Sequence, residues 1–512
     1  MAERFFLGVD VGTHETKGVL INEQLRPVAE YALPHKMENP KPGYYEMDAM
    51  IWWEEFCAIA RKLLGLAGAA PCDVAGVGVS VMGCDCIPVD ESCNPLRKAI
   101  LYGIDARSAP QIEALTKELG EEGVIAMFGH VPHSDDVATK ILWVREEEPE
   151  VYGKTYQFLT GSSFMAAKLT GNYTIDSYLA RVAFRPIYRQ DGSYNTEDGP
   201  RFCREDQVPQ IRNVTDVAGT ITETAAKESG LCPGTPVIVG TGDSTAESVA
   251  GGLLTPGTLF VQLGSTIFFV YCVDREMKYD PSDRFPGSGV FTIPGSYAVM
   301  GGTNCAGALT AWVRDLYYQD AVKEEKAGGI SAYQILAKEA AEAEPGSKGL
   351  IVLPYLYGER SPIHDPLARG VLFGLTGDHS RKEIARAALE GVACSLGSHM
   401  RLFKKHGLLP DEVIIAGGGT RNPVWMQIMA EVIGLPVKAA QDWQTASYGD
   451  ACMAAIGCGM LKDFKALKEA LPEQTVYYPD MENHKVYEKY QDLYEELYLV
   501  TAPLMHKLSQ EF

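Results

Sequence analysis

The sequence has no run of about 18 apolar residues, the length a helix needs to span a bilayer. Its N-terminus also lacks a basic region followed by an extended apolar segment and cleavage site, so a cytoplasmic protein is expected. Positive charge is scarce. The 46 Lys and Arg stand against 67 Asp and Glu, and a net charge of -21 argues against nucleic acid or an anionic membrane surface as a general partner. Among 12 cysteines there is no Cys-x-x-Cys pair, although Cys84, Cys86 and Cys93 lie close together. That pattern suits scattered reduced thiols better than a disulfide framework or a zinc ribbon. Pro132 between His130 and His133 argues against a ligand-bearing helix and for loop histidines. Neither a Gly-x4-Gly-Lys-Ser/Thr loop nor a glycine triplet opening a helix after the first strand occurs, which sets aside a Walker A loop and a dinucleotide fingerprint. There is no low-complexity linker and no array of short repeats.

What is present is globular: 512 residues, 46% apolar and 22% charged, enough for two or more domains with cores of their own. The first stretch, Phe5 to Ile21, reads as a β-hairpin whose turn region carries Gly12, Thr13 and Thr16. Such a turn suits an anion. Gly12 lets backbone N–H groups approach it, Thr13 and Thr16 offer hydroxyls, Lys17 adds charge, and Asp10 at the strand end can hold hydrated Mg²⁺. The same features also fit an ordinary hairpin. The pattern returns about 250 residues later as Phe260 to Leu263, Gly264-Ser265-Thr266 and Ile267 to Val273, which suggests two related α/β halves. Just before this echo, Val237 to Gly240 reads as a buried strand leading to Asp243, with a helix over 244–250.

At these residues the chain resembles the FGGY carbohydrate kinases, over essentially its whole length. DVGTHETKG and QLGSTIFF resemble the family's two phosphate loops, and TGDSTAES its catalytic-aspartate segment. Lys140 to Glu147 is similar to the core of one family signature, and Gly370 to Glu390 to the other. Ala416 to Val437 resembles the adenosine-binding turn and helix, and Gly358 to Gly370 is also typical. The resemblance implies an α/β fold of two actin-like (ribonuclease H-like) domains with a catalytic cleft between them, over residues 1–251 (sugar-binding and catalytic) and 252–512 (nucleotide-binding). It implies ATP-dependent phosphorylation of a sugar or polyol hydroxyl, such as that of xylulose or a related ketopentose, with ATP and Mg²⁺ as cofactors. The alternatives are another polyol, a deoxy sugar or a sugar acid (Arg107 or Arg181 would favour an acid), or a non-catalytic ATP-binding regulator. The partner is a small-molecule sugar, with neither nucleic acid nor membrane, and relatives are often homodimers.

The chemistry assigns roles. A sugar hydroxyl is a poor nucleophile, so a carboxylate must take its proton, and Asp243 is the candidate base. Asp10 and Asp243 are the candidate metal ligands. Gly264, Ser265 and Thr266 would hold the transferred phosphate, while the resemblance places Gly307, Gly418, Gly419 and Asn422 along the nucleotide's base and ribose. It also makes Met82, Gly83, Cys84, Asp105, Arg107 and Asp243 the candidate sugar contacts. Family members acting on xylulose usually carry Met-His where this chain has Gly83-Cys84, and Trp at Tyr102; those acting on glycerol carry Arg-Glu at the first of these places. The departures enlarge the pocket. Further along, Asp48 to Gly68 reads as a capped helix, Val74 to Val81 and Ala99 to Tyr102 as strands, and Ser380 with Glu383 as a capping box before a long helix ending near Gly407. The region 181–214 reads as irregular.

Overall fold

The computed structural model describes residues 4–511, which divide into two units. The first runs to Ala250 and also holds Gly289–Ser296 and Trp443–Leu471; the second holds Gly251–Ser288, Tyr297–Asp442 and the chain from Pro472. The first crossing falls beside the expected Gly251-Gly252 boundary, but the chain then returns twice to the first unit.

In the first unit β1 (Phe5–Val11) pairs antiparallel with β2 (Glu15–Asn22), and β2 with β3 (Pro27–Pro34). On its other side β1 lies parallel to β4 (Val74–Val81), followed by β6 (Pro236–Ile238) and β5 (Val217–Thr220). The short β7 (Thr241–Gly242) continues beside the end of β4, with Thr241 opposite Ser80. The expected strand 237–240 is broken because Gly240 takes φ +74° and a Cβ there would run into the Val79 carbonyl.

The apolar runs of β1 and β4 follow from burial on both faces. Helix Ala49–Ala67, capped by Asp48 and ended by left-handed Gly68, packs on one face, where Gly18 admits Ile59 and Leu63. Helix Ala446–Gly457 packs on the other face so closely that a Cβ at Gly8 would collide with the Ser447 carbonyl.

The second unit repeats the arrangement. Its β8 (Thr258–Leu263), β9 (Ile267–Val273) and β10 (Tyr297–Thr303) form the antiparallel series, and β11 (Glu412–Ala416) lies parallel to β8 before β12 (Val437–Ala439) and β13 (Thr475–Tyr477). The order β11-β8-β9-β10 thus matches β4-β1-β2-β3. The core helix Arg381–Lys405 starts with the expected box, the Ser380 amide donating to Glu383 Oε2 at 2.9 Å.

Three further expectations are corrected. Cys72 and Cys232 form a disulfide, because 160 positions of sequence shrink to a Cα separation of 4.9 Å where β4 and β6 begin side by side; no other cysteine among the described residues is in a disulfide. The strand 99–102 reduces to Ala99–Ile100. Region 181–214 begins in the last turn of helix Ser177–Val182 and contains two short helical turns and strand Gln210–Arg212, which lies parallel to Thr174–Asp176. No helix among the described residues is long and apolar enough to cross a membrane.

Candidate active site

The parallel pairing of β1 with β4 places Asp10 opposite Ser80, whose hydroxyl oxygen is 2.9 Å from Asp10 Oδ1. The same Ser80 hydroxyl lies 2.7 Å from Asp450 Oδ2, on the helix that returns from the C-terminal part of the sequence. Asp243 follows β7 and opens helix Asp243–Gly251, one carboxylate oxygen accepting the Ser244 amide at 2.7 Å. Burial raises the Asp10 carboxyl, and the charges of Asp243 and Glu247 raise it further against the Ser80 hydrogen bond. Burial likewise raises Asp243. A set of hard, acceptor-only oxygens that repel one another suits Mg²⁺, so the residues fit that ion.

The first hairpin turn closes with the Gly12 amide donating to the Glu15 carbonyl at 3.0 Å. Thr13 Oγ1 lies 3.2 Å from the Tyr102 hydroxyl, and Lys17 pairs with Glu15 at 2.8 Å while half exposed. Thr16 departs from expectation. Strand alternation turns it inward, fully buried, where it donates to Glu55 Oε2 at 2.5 Å rather than facing an anion. His35 meets the same Glu55 oxygen at 2.9 Å and the Gly12 carbonyl at 2.8 Å, and so ties the turn to helix Ala49–Ala67.

Beyond β4, the turn through Met82, Gly83 and Cys84 packs against β7: a Cβ at Gly242 would lie 3.1 Å from Gly83 Cα. Asp105 and Arg107 are spoken for. Asp105 Oδ1 accepts the Arg107 amide and Nε, and Oδ2 accepts the Tyr45 amide and Arg107 Nη2, which fills all four acceptor positions. Arg107 Nη1 reaches Glu46 at 2.8 Å, and its guanidinium lies over the Tyr44 and Trp143 rings. Neither side chain has solvent exposure, so this is a closed brace rather than an open set of sugar contacts. Arg181 begins a different cavity with Gln210 and Arg212.

In the second unit Gly264, Ser265 and Thr266 are exposed at the tip between β8 and β9. Helix Gly307–Tyr317 starts on that tip, the Gly307 amide donating to the Gly264 carbonyl at 2.9 Å. A Cβ on Gly307 would approach the same oxygen to 2.6 Å, so this glycine has a packing role of its own. Gly419 is packed against Leu263, Gly418 has open space around it, and Asn422 caps helix Pro423–Ile433 through Oδ1.

Two family models cover most of this chain: the N-terminal domain of the FGGY family of carbohydrate kinases matches residues 5–250, and the C-terminal domain residues 259–458. The chain belongs to the FGGY family of carbohydrate kinases. It is accordingly a sugar kinase with the two-domain actin-like α/β fold. It is 27% identical over 509 residues to a xylulose kinase of Bacillus subtilis, covering 98% of each chain. With a ribulokinase of Geobacillus thermodenitrificans it shares 26% over 544 residues, covering 97% of this chain and 94% of the relative. Among solved structures, a xylulose kinase from Rhodospirillum rubrum superposes with a TM-score of 0.86 at 28% identity, covering 98% of this chain and 100% of that one.

His35, Glu55, Ser80, Glu247 and Asp450 join the candidate site from structure alone. Ser80 closes a strand beside Asp10, a signal legible only once the β1–β4 pairing is known.

Proposed function

We propose that this FGGY kinase transfers the γ-phosphate of ATP to a hydroxyl of a ketopentose or closely related polyol. The observation that carries the reading is Asp243, held at the junction of a strand and a helix beside both Asp10 and the Met82–Cys84 turn. The relatives that act on xylulose and ribulose support a ketopentose. A sugar acid gains no support from Arg107, whose guanidinium is already paired.

In this reading Asp243 accepts the proton of the attacking hydroxyl. Asp10, held by Ser80, and Asp243 would bind Mg²⁺, which supplies charge neutralisation for the phosphates. Gly12 closes the turn of the first hairpin through its bond to the Glu15 carbonyl, and we assign Thr13 there, and Gly264, Ser265 and Thr266 in the second unit, the role of presenting donors to the phosphates. Gly418 offers an uncovered backbone to the nucleotide. Gly83 and Cys84 form the wall against which the sugar is held, with Met82 buried at 1% exposure.

The test is ADP release with Mg-ATP over a panel of ketoses, alditols, aldoses and sugar acids, with the product identified. Asp243→Asn is expected to lower kcat by about 10²–10⁴-fold. Equal turnover by the variant would refute the base assignment.

A further inference from the structure

Glu359, Arg360 and Ser361 clamp the strand ends beside the second unit's glycine-hydroxyl tip. Arg360 Nη2 donates to the carbonyls of Ile267 and Thr303, each at 3.2 Å. Ile267 follows Thr266 and opens β9, Thr303 closes β10, and the two lie opposite each other in the antiparallel pair. One nitrogen therefore joins the chain leaving the tip to the chain that runs on to Gly307.

The neighbours of Arg360 secure only the second of these chains. Buried Glu359 accepts the Asn304 amide and the Arg360 amide through Oε1, both at 2.7 Å. Buried Ser361 accepts the Gly302 amide through Oγ at 2.9 Å, and its hydroxyl lies 2.9 Å from His399 Nε2 on helix Arg381–Lys405. The end of β10 is thus held at Gly302, Thr303 and Asn304. Among the described residues of this clamp, Arg360 alone holds the start of β9. The tip before Ile267 is exposed, with an internal bond from the Gly264 amide to the Thr266 carbonyl at 3.0 Å. An arginine suits this place, because a guanidinium is always charged and its charge-assisted hydrogen bonds are stronger than neutral ones. Burial raises the Glu359 carboxyl, and the charge of Arg360 acts against that rise, so the same side chain balances the clamp.

We propose that Arg360 is a positioning residue for the second phosphate loop, holding Gly264, Ser265 and Thr266 in the geometry that receives the nucleotide's phosphates. This rests on the phosphate role given to that loop above and adds the residue that fixes its shape. Arg360 acts through Ile267 and needs no contact with nucleotide or sugar. Loosening it weakens the hold on polyphosphate and leaves the sugar contacts, which belong to the first unit, unchanged.

The experiment compares native full-length protein with Arg360→Met, which removes donors and charge, and Arg360→Lys, which keeps the charge beside Glu359 without the planar fork. Calorimetry measures binding of the non-hydrolysable ATP analogue AMP-PNP with Mg²⁺. ADP release gives the KM for Mg-ATP and for D-xylulose or D-ribulose, whichever turns over faster. Arg360→Met is expected to weaken AMP-PNP binding and raise the KM for Mg-ATP by about 10-fold, the lower end of what a hydrogen bond from a charged group supplies, with the ketose KM within about twofold of native. Arg360→Lys is expected to show a smaller shift in the same direction, and it decides by the same readings should Arg360→Met fail to fold. Native-like AMP-PNP affinity in the variants overturns the proposal. So does a rise in ketose KM equal to that for Mg-ATP, the mark of a general loss of structure. Native protein that binds no AMP-PNP overturns the nucleotide reading of the loop and this proposal with it. Native protein that binds AMP-PNP but turns over neither ketose overturns the ketopentose reading alone, and calorimetry on the variants still decides for Arg360.

Discussion

Ser80 has one hydroxyl hydrogen and lies between two carboxyl groups, 2.9 Å from Asp10 and 2.7 Å from Asp450. Both contacts are favourable only when one carboxyl carries its own proton. Burial raises Asp450 well above the usual carboxylate range, against its bonds from the Ser80 hydroxyl and amide, and a proton held there directs the Ser80 hydrogen to Asp10. Ser80→Ala removes a contact that lowers the Asp10 pKa. Asp10 then holds its proton to higher pH, so the acid limb of kcat/KM should move upward and the Mg²⁺ concentration for half-maximal turnover should rise several-fold. Steady-state profiles at varied pH and Mg²⁺ check this, and an unmoved limb contradicts it. In the native enzyme the limb already lies above the ordinary carboxylate range near 4, because burial raises both Asp10 and Asp243, and activity is lost as pH falls through the higher of the two, that of Asp10. Asp10 and Asp243 were legible because each stands where an apolar strand meets a polar turn. Asp450 was not, since its partner lies 370 positions away. Thr16 misled because a hydroxyl beside a glycine turn looks the same in sequence whether its strand faces it outward or inward.

Two elements are held by polar braces that no periodicity records. Helix Ala49–Ala67 was readable from its Asp48 cap and Gly68 stop, yet nothing local showed that Glu55 would receive both Thr16 and His35. Burial lowers the His35 pKa, but bonding to Glu55 and the Gly12 carbonyl outweighs it and the net shift is upward. A histidine raised in the fold contributes stability that is complete below its unfolded pKa near 6.5 and is lost as pH rises through the folded value. The stability deficit of Glu55→Gln should therefore be larger near pH 6 than near pH 9 in chemical denaturation. The second brace is Arg107 with Asp105 and Glu46. Burial would raise Glu46, but Arg107 and Arg97 hold it below its usual range. Arg107→Ala leaves the enclosed Asp105 without its guanidinium and Glu46 with Arg97 alone, and is expected to cost about 3–5 kcal/mol, measured by denaturant unfolding. The acidic and basic residues of this loop were visible in sequence, but whether Asp105 faced a sugar or its own neighbour depended on the chain folding back two residues later.

At the scale of the molecule, the duplication is the part the sequence displayed best, because both hairpins preserve the glycine-hydroxyl turn between apolar strands. The discontinuity of the first unit was hidden. Helix Ala446–Gly457 is an ordinary apolar helix in sequence, and only Gly8, Gly78 and Gly449, where added Cβ atoms would strike Ser447, Asp450 and Ala246 carbonyls, show how closely it seats. Residues 1–250 expressed alone would bare one face of β1 and β4. They are expected to be largely insoluble, with co-expression of residues 443–471 raising the soluble fraction; equal solubility without that segment would contradict the assignment. The same feature sets an order of events during synthesis. When residue 250 leaves the ribosome, the helix that covers its sheet has not been made, and at about 5–20 residues per second the interval to residue 471 is roughly 10–45 s. Through that interval the nascent chain carries an uncovered sheet face, a natural binding site for a holding chaperone, and codon-level pauses between the two segments would lengthen the exposure.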